Sequence, residues 1–369
     1  MRPNLDALVP AYVREFDPYI PSKPDAELMK LYGTQRLFRL NNNENPLGPP
    51  PGAQEVIRRF PPPQGALYPS GDSYYLREAI AAFHGLDPDQ VLVGNGANEV
   101  IAFVIKAFCT QGDNIVTADK TFAVYEWVAV FSGIEARVIP LKDEGFDDIG
   151  MLRAIDANTK ILFVCNPNNP TGSYWSKERL KAFLDAVGGE RIVVVDEAYF
   201  EFVEQADYPD GVSLLGDYPN LVVFRTFSKM YGIAGLRIGY LVGDLAVVDM
   251  IRRTCVVYSV NRLAQEAALA AFRDDTGHIR RTRALVRESR AFLREELAKL
   301  GLPTISGEGN YLIVKLPGSD TLAYRKMMRE GIMIRPMTGF RCPNHIRVTL
   351  AKMEAMEAFV AALKKTLET

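Results

Sequence analysis

Three stretches decide the fold: KILFVCNPNNPTG at 160–172, RIVVVDEAY at 191–199 and LVVFRTFSK at 221–229. Each opens on an apolar, β-branched run and closes on polar residues. Val193, Val194 and Val195 are consecutive, so that strand is apolar on both faces, as a strand covered on both sides by helices should be. Between the first two lies KERLKAFLDAV (177–187), whose apolar residues recur at helical spacing. Working outward, further strand candidates are VLVGN (91–95), NIVTAD (114–119), ARVIPL (136–141) and IGYLVG (238–243), with NEVIAFVIKAF (98–108) as an intervening helix. Strand alternating with helix predicts an α/β layered domain around a mostly parallel, seven-stranded sheet.

The character changes near residue 280. The charged amphipathic stretch RRTRALVRESRAFLREELAKL (280–300) predicts a long helix that stops at Gly301-Leu302-Pro303. Strand candidates follow at NYLIVKL (310–316), IMIRPM (332–337) and HIRVTL (345–350), which together predict a smaller α+β domain. The first residues are rich in proline and charge and read as an arm. The expected division is an arm at 1–39, a large domain at 40–275 and a small one at 276–369; a chain of 369 residues exceeds the usual single-domain size.

Composition narrows the function. With 48% hydrophobic and 24% charged residues and a net charge of −2, the chain has the make-up of a soluble globular protein with no basic excess. Nucleic acid and acidic membranes, which need clustered positive charge, are therefore excluded as expected partners. No apolar run reaches bilayer length, and the opening MRPNLDALVPAYVREFDPYIPSKP lacks the apolar core of a signal peptide, so a cytoplasmic location is expected. Cys109, Cys165, Cys255 and Cys342 are widely separated, and His84, His278 and His345 form no ligand or triad pattern. The chemistry is expected to need neither a metal nor a histidine base.

In an open α/β sheet, ligands bind where strand carboxyl ends meet the following turns. Gly94-Asn95-Gly96-Ala97-Asn98-Glu99 follows a strand and opens a helix, which suits an anion; it also imitates a dinucleotide fingerprint, although Glu99 stands where the third glycine would be. Asn166-Pro167-Asn168-Asn169-Pro170-Thr171-Gly172 is a turn by composition, and its prolines also make a rigid platform for Asn169. Asp196 ends the most apolar strand, where a carboxylate is costly unless it meets a cation or takes a proton; an N-cap is the plainer reading. Lys229 follows a strand amid Thr226 and Ser228, with Gly232, Gly235 and Arg237 behind it. That set suits a phosphorylated cofactor held covalently: hydroxyls and Arg237 for the phosphate, Lys229 for an imine.

Taken in order, LNNNENPLGP (40–49), GNGANE (94–99), NPNNPTG (166–172), DEAYFEF (196–202) and RTFSKMYGIAGLRIGY (225–240) resemble the fold-type-I pyridoxal-5'-phosphate (PLP) aminotransferases, specifically the histidinol-phosphate aminotransferase family. The resemblance runs from PYIPSKP (18–24) to HIRVTL (345–350). It implies PLP as cofactor, a Schiff base on Lys229, and a homodimer with shared active sites. It also implies that Asp196 pairs with the pyridine nitrogen, that Tyr199 and Asn169 bond the phenolic oxygen, and that Phe122 stacks on the ring. Ala97, Asn98, Thr226, Ser228 and Arg237 are implied as phosphate contacts, joined by Tyr68 from the neighbouring subunit. Arg347, Arg335 and Tyr19 match substrate-binding positions, and Asn169 also faces the substrate. The sequence departs from the family at Ser70, where an acid usually follows Tyr-Pro, and at Leu350-Ala351. The implied reaction is ping-pong transamination of histidinol phosphate with 2-oxoglutarate, with freed Lys229 as general acid and base. Relatives with the same motifs act on aromatic amino acids, and a threonine-phosphate decarboxylase shares the scaffold, though its His-Gly-Gly opening is missing here. A regulator would need a DNA-binding module in front.

Overall fold

The computed structural model describes residues 3–17 and 23–368. Across the main sheet the strands run Val91–Gly94, Gly239–Gly243, Leu221–Thr226, Ile192–Asp196, Thr159–Cys165, Asn114–Ala118 and Glu135–Ile139, seven in all. The five from Leu221–Thr226 to Glu135–Ile139 are parallel, while Gly239–Gly243 runs against both of its neighbours. Ile192–Asp196 and Leu221–Thr226 are buried along their whole length, which is why their sequences do not alternate. Glu135–Ile139, at the edge, keeps partial exposure.

A second, four-stranded antiparallel sheet joins Arg335–Pro336, His345–Thr349, Tyr311–Lys315 and Thr304–Ile305. The helix His278–Lys299 buries His278, Thr282, Val286, Ser289, Leu293 and Leu297, a stripe of three- and four-residue steps. Gly301 stops it at φ +67°, a left-handed position glycine fills without strain, and the Leu302 N–H caps Leu297 O at 3.0 Å.

Two expectations are corrected. IMIRPM is not one strand: Ile332–Met333 pairs in parallel with Phe38–Arg39, and Arg335–Pro336 pairs with His345–Thr349 in the other sheet. The segment read as an arm also contributes core structure, since the helix Asp25–Tyr32 buries Leu28 against Met328 and Met333. Charge and proline dominate its composition and hide one apolar contact face.

Register aligns the strand ends that matter. Cys165 pairs with Asp196, Asp196 with Phe224, and Thr226 with Gly239, which pairs in turn with Gly94. The turns after four strands therefore open at one level. Among the described residues, no helix is long and apolar enough to cross a membrane.

Candidate active site

At that level lies a cavity of about 340 Å³. Its lining brings together Ala97, Asn98, Phe122, Asn169, Asp196, Tyr199, Thr226, Ser228, Lys229 and Arg237, ten residues singled out from sequence alone. At one end the helix Ala97–Phe108 presents its N-terminus, with free N–H groups and a partial positive charge. Gly96 makes the approach possible: it sits at φ +84°, and a Cβ there would collide with the Arg237 guanidinium. Arg237 Nη1 reaches Ser228 Oγ at 3.5 Å, so guanidinium and hydroxyls face the same space.

At the deep end Asp196 is 2% exposed. It accepts hydrogen bonds from Tyr125 Oη at 2.5 Å and from the Ala198 N–H at 3.0 Å. Burial nonetheless holds its pKa above the usual carboxylate value, because two neutral donors do not replace water around a charge. The second bond reaches only two residues along the chain and is not an N-cap: the next helical turn, Phe200–Phe202, starts after Tyr199.

Lys229 stands at the wall, and its Nζ donates to Asn42 O at 2.8 Å. Burial, with Arg347 as the next cause, lowers its pKa to about 7. Arg347 is buried behind Asn169: Nη1 donates to Asn169 Oδ1 at 2.5 Å and Nη2 to Asn41 O at 2.8 Å. Arg335 approaches along the same segment, with Nη2 on Asn42 Oδ1 at 2.7 Å. Two guanidinium groups thus converge on Asn41 and Asn42 beside the lysine.

Tyr68 lies apart from the cavity, 79% exposed, its ring 4.9 Å from that of Tyr258. Tyr19 lies outside the described residues. Sequence reasoning missed Tyr125, Asn42 and Asn43. Tyr125 falls on the apolar face of the helix Val124–Phe131 and reads as packing. Three consecutive amides at 41–43 were a signal, because buried amides need partners. Among the described residues, no group of three or more His, Cys, Asp or Glu is arranged to hold a metal.

Fold and site together define an aminotransferase of the α/β type. The family model for aminotransferase class I and II matches residues 35–363, and the chain belongs to that family. It is 38% identical over 362 residues to the histidinol-phosphate aminotransferase of Anaeromyxobacter sp. (strain Fw109-5), covering 98% of this chain and 99% of that protein. To the histidinol-phosphate aminotransferase of Symbiobacterium thermophilum it is 39% identical over 355 residues, covering 96% and 97%. The crystal structure of histidinol-phosphate aminotransferase from Sinorhizobium meliloti in complex with PLP superposes with a TM-score of 0.86 at 25% identity, covering 97% of each chain.

Proposed function

We propose that this chain transfers an amino group between histidinol phosphate and 2-oxoglutarate, with PLP held in the cavity and carried on Lys229. The observation that carries the reading is the convergence, in one cavity, of an anion-binding helix end, a buried carboxylate with no ion-pair partner among the described residues and a lysine poised near neutrality. The named relatives favour histidinol phosphate over an aromatic amino acid.

The residues fit the cofactor. A phosphate would sit on the N–H groups of Ala97 and Asn98, with Thr226, Ser228 and Arg237 as donors. A pyridinium N–H would give Asp196 the cation its burial demands, while Phe122 supplies an apolar wall. Asn169 has its oxygen committed to Arg347, so its amide N–H groups are left for the cavity. When bound, PLP supplies an electron-withdrawing ring next to the bond broken at the amine-bearing carbon.

The chain does the rest. Once freed from the cofactor by the incoming amine, Lys229 Nζ, partly unprotonated near pH 7, would take the proton from that substrate carbon and deliver it across the intervening nitrogen to the cofactor carbon. Arg347 and Arg335 together match a doubly charged phosphate; a single carboxylate is satisfied by Arg347 alone. We further assign Tyr68 to the phosphate of a neighbouring subunit in a homodimer, and the enzyme to the cytoplasm.

The test is a comparison of kcat/KM for histidinol phosphate and phenylalanine, with glutamate formation from 2-oxoglutarate as readout. Wild type should prefer histidinol phosphate. Arg335→Ala should lower its kcat/KM by the equivalent of about 2–4 kcal/mol and affect phenylalanine less. Equal losses for both would remove Arg335 as the phosphate selector, and an outright preference for phenylalanine would overturn the substrate.

A further inference from the structure

Asn43 lies behind Tyr199 and is 1% exposed. Its Nδ2 donates to Tyr199 Oη at 2.8 Å. An amide nitrogen has only hydrogens to offer, so Tyr199 accepts here and its own hydrogen points elsewhere. The orientation of the amide is fixed from its other end. The Asn43 backbone N–H donates to Thr349 Oγ1 at 2.9 Å, which directs the Thr349 hydrogen to Asn43 Oδ1, 3.3 Å away. Turned over, the amide would leave that hydroxyl hydrogen with no acceptor among the described residues. Asn310 Nδ2 steadies the backbone through Asn43 O at 3.1 Å, and φ +55° at Asn43 is a left-handed angle that asparagine tolerates better than most residues.

The groups facing Tyr199 are Asp196 and Cys165 from the strand ends, Lys229 with Nζ 6.0 Å from the ring, and Arg347 and Tyr311 from the small sheet. None accepts the phenol hydrogen among the described residues. Burial pushes the Tyr199 phenol up to about 12, so it keeps that hydrogen at neutral pH.

We propose that Asn43 is a positioning residue: it commits Tyr199 to act as a donor, never an acceptor, toward the phenolic oxygen of bound PLP, and Thr349 sets Asn43. The inference rests on the function proposed above. A hydrogen bond donated to that oxygen favours its charged form and so lowers the pH midpoint of the holoenzyme's visible absorbance band.

Asn43→Leu removes the donor while keeping the branching at Cγ, Thr349→Val removes the group that orients the amide, and Thr349→Ser keeps it. Loaded with PLP, Asn43→Leu and Thr349→Val should raise the midpoint by about half to one pH unit, roughly three- to tenfold in the acid constant. Thr349→Ser should titrate like wild type. If both disruptive variants load PLP, melt like wild type and keep its midpoint, the inference is wrong while the proposed function stands. If Asn43→Leu does not fold, Thr349→Val decides by the same criterion. A wild-type protein that shows no visible band with PLP overturns the proposed function, and this inference with it.

Discussion

Lys229 is expensive to a chain without its cofactor. Its pKa near 7 lies well below the 10.5 of an exposed lysine. Between those values the unfolded chain binds a proton that the native chain does not, so stability rises with pH from about 7 to 10.5. Below that window the penalty is fully present; above it, both states are neutral and the penalty is gone. Lys229→Met should therefore stabilise the cofactor-free protein at pH 7 by on the order of 3 kcal/mol, a figure reduced for water in the cavity. Denaturant unfolding at pH 7 and again above pH 10.5 should show the advantage shrinking to nearly nothing, and a constant advantage would point to packing instead. The lysine was legible in the sequence because strand, hydroxyls, glycines and arginine surround it within a few positions. So was Asp196, since a carboxylate closing three valines demands a partner. Tyr125 and Asn43 were not, because their partners Asp196 and Tyr199 lie 71 and 156 positions away and meet them only once the sheet is assembled.

At the scale of elements, the site depends on two neighbouring strands ending at the same height. Arg225, the last residue but one of Leu221–Thr226, donates through Nε and Nη2 to Glu197 Oε2 at 3.0 and 2.7 Å, just past the end of Ile192–Asp196. Nη2 also reaches Asp210 Oδ1 at 2.6 Å, and the guanidinium lies 3.6 Å over the Phe200 ring. Glu197 takes the Gly211 N–H on its other oxygen at 2.8 Å. Burial pushes the Glu197 carboxyl up to about 7, but the donors converging on it are those of an ionised carboxylate. Thr226, one residue after Arg225, and Asp196, one residue before Glu197, line the cavity. Arg225→Met should strand a buried carboxylate and cost about 3–5 kcal/mol in denaturant unfolding. A loss under 1 kcal/mol would mean that Glu197 takes up a proton cheaply and that the strands need no clamp. The strands themselves were legible, since runs apolar on both faces have few other uses. The divided strand at 332–336 was not, because which sheet each half joins depends on Phe38–Arg39, almost 300 residues away.

The whole molecule carries an apolar surface that its own fold leaves uncovered. Leu67, Tyr68, Tyr75, Val256 and Val257 are each at least 60% exposed. Two of the segments that carry them meet: Tyr68 lies against Tyr258, Gly71 approaches Tyr258 and Val257, and Arg262 Nη2 holds Tyr68 O at 2.8 Å. Exposed apolar side chains of this size are what the proposed homodimer would bury. In the proposed homodimer each cavity is completed by Tyr68 of the partner subunit, an arrangement with an arithmetic consequence. Mix Lys229→Ala and Tyr68→Ala subunits in equal amounts and let them exchange. About half of the dimers are then hybrids, and in each hybrid one site combines an intact Lys229 with an intact Tyr68 of the partner subunit. Activity should recover to about a quarter of the wild-type value, well above either variant alone. If Tyr68 served its own subunit's site, no combination would join the two intact residues and mixing would restore nothing. Sedimentation of the active protein separates the remaining case, because a monomer under assay conditions would refute shared sites whatever the mixture does.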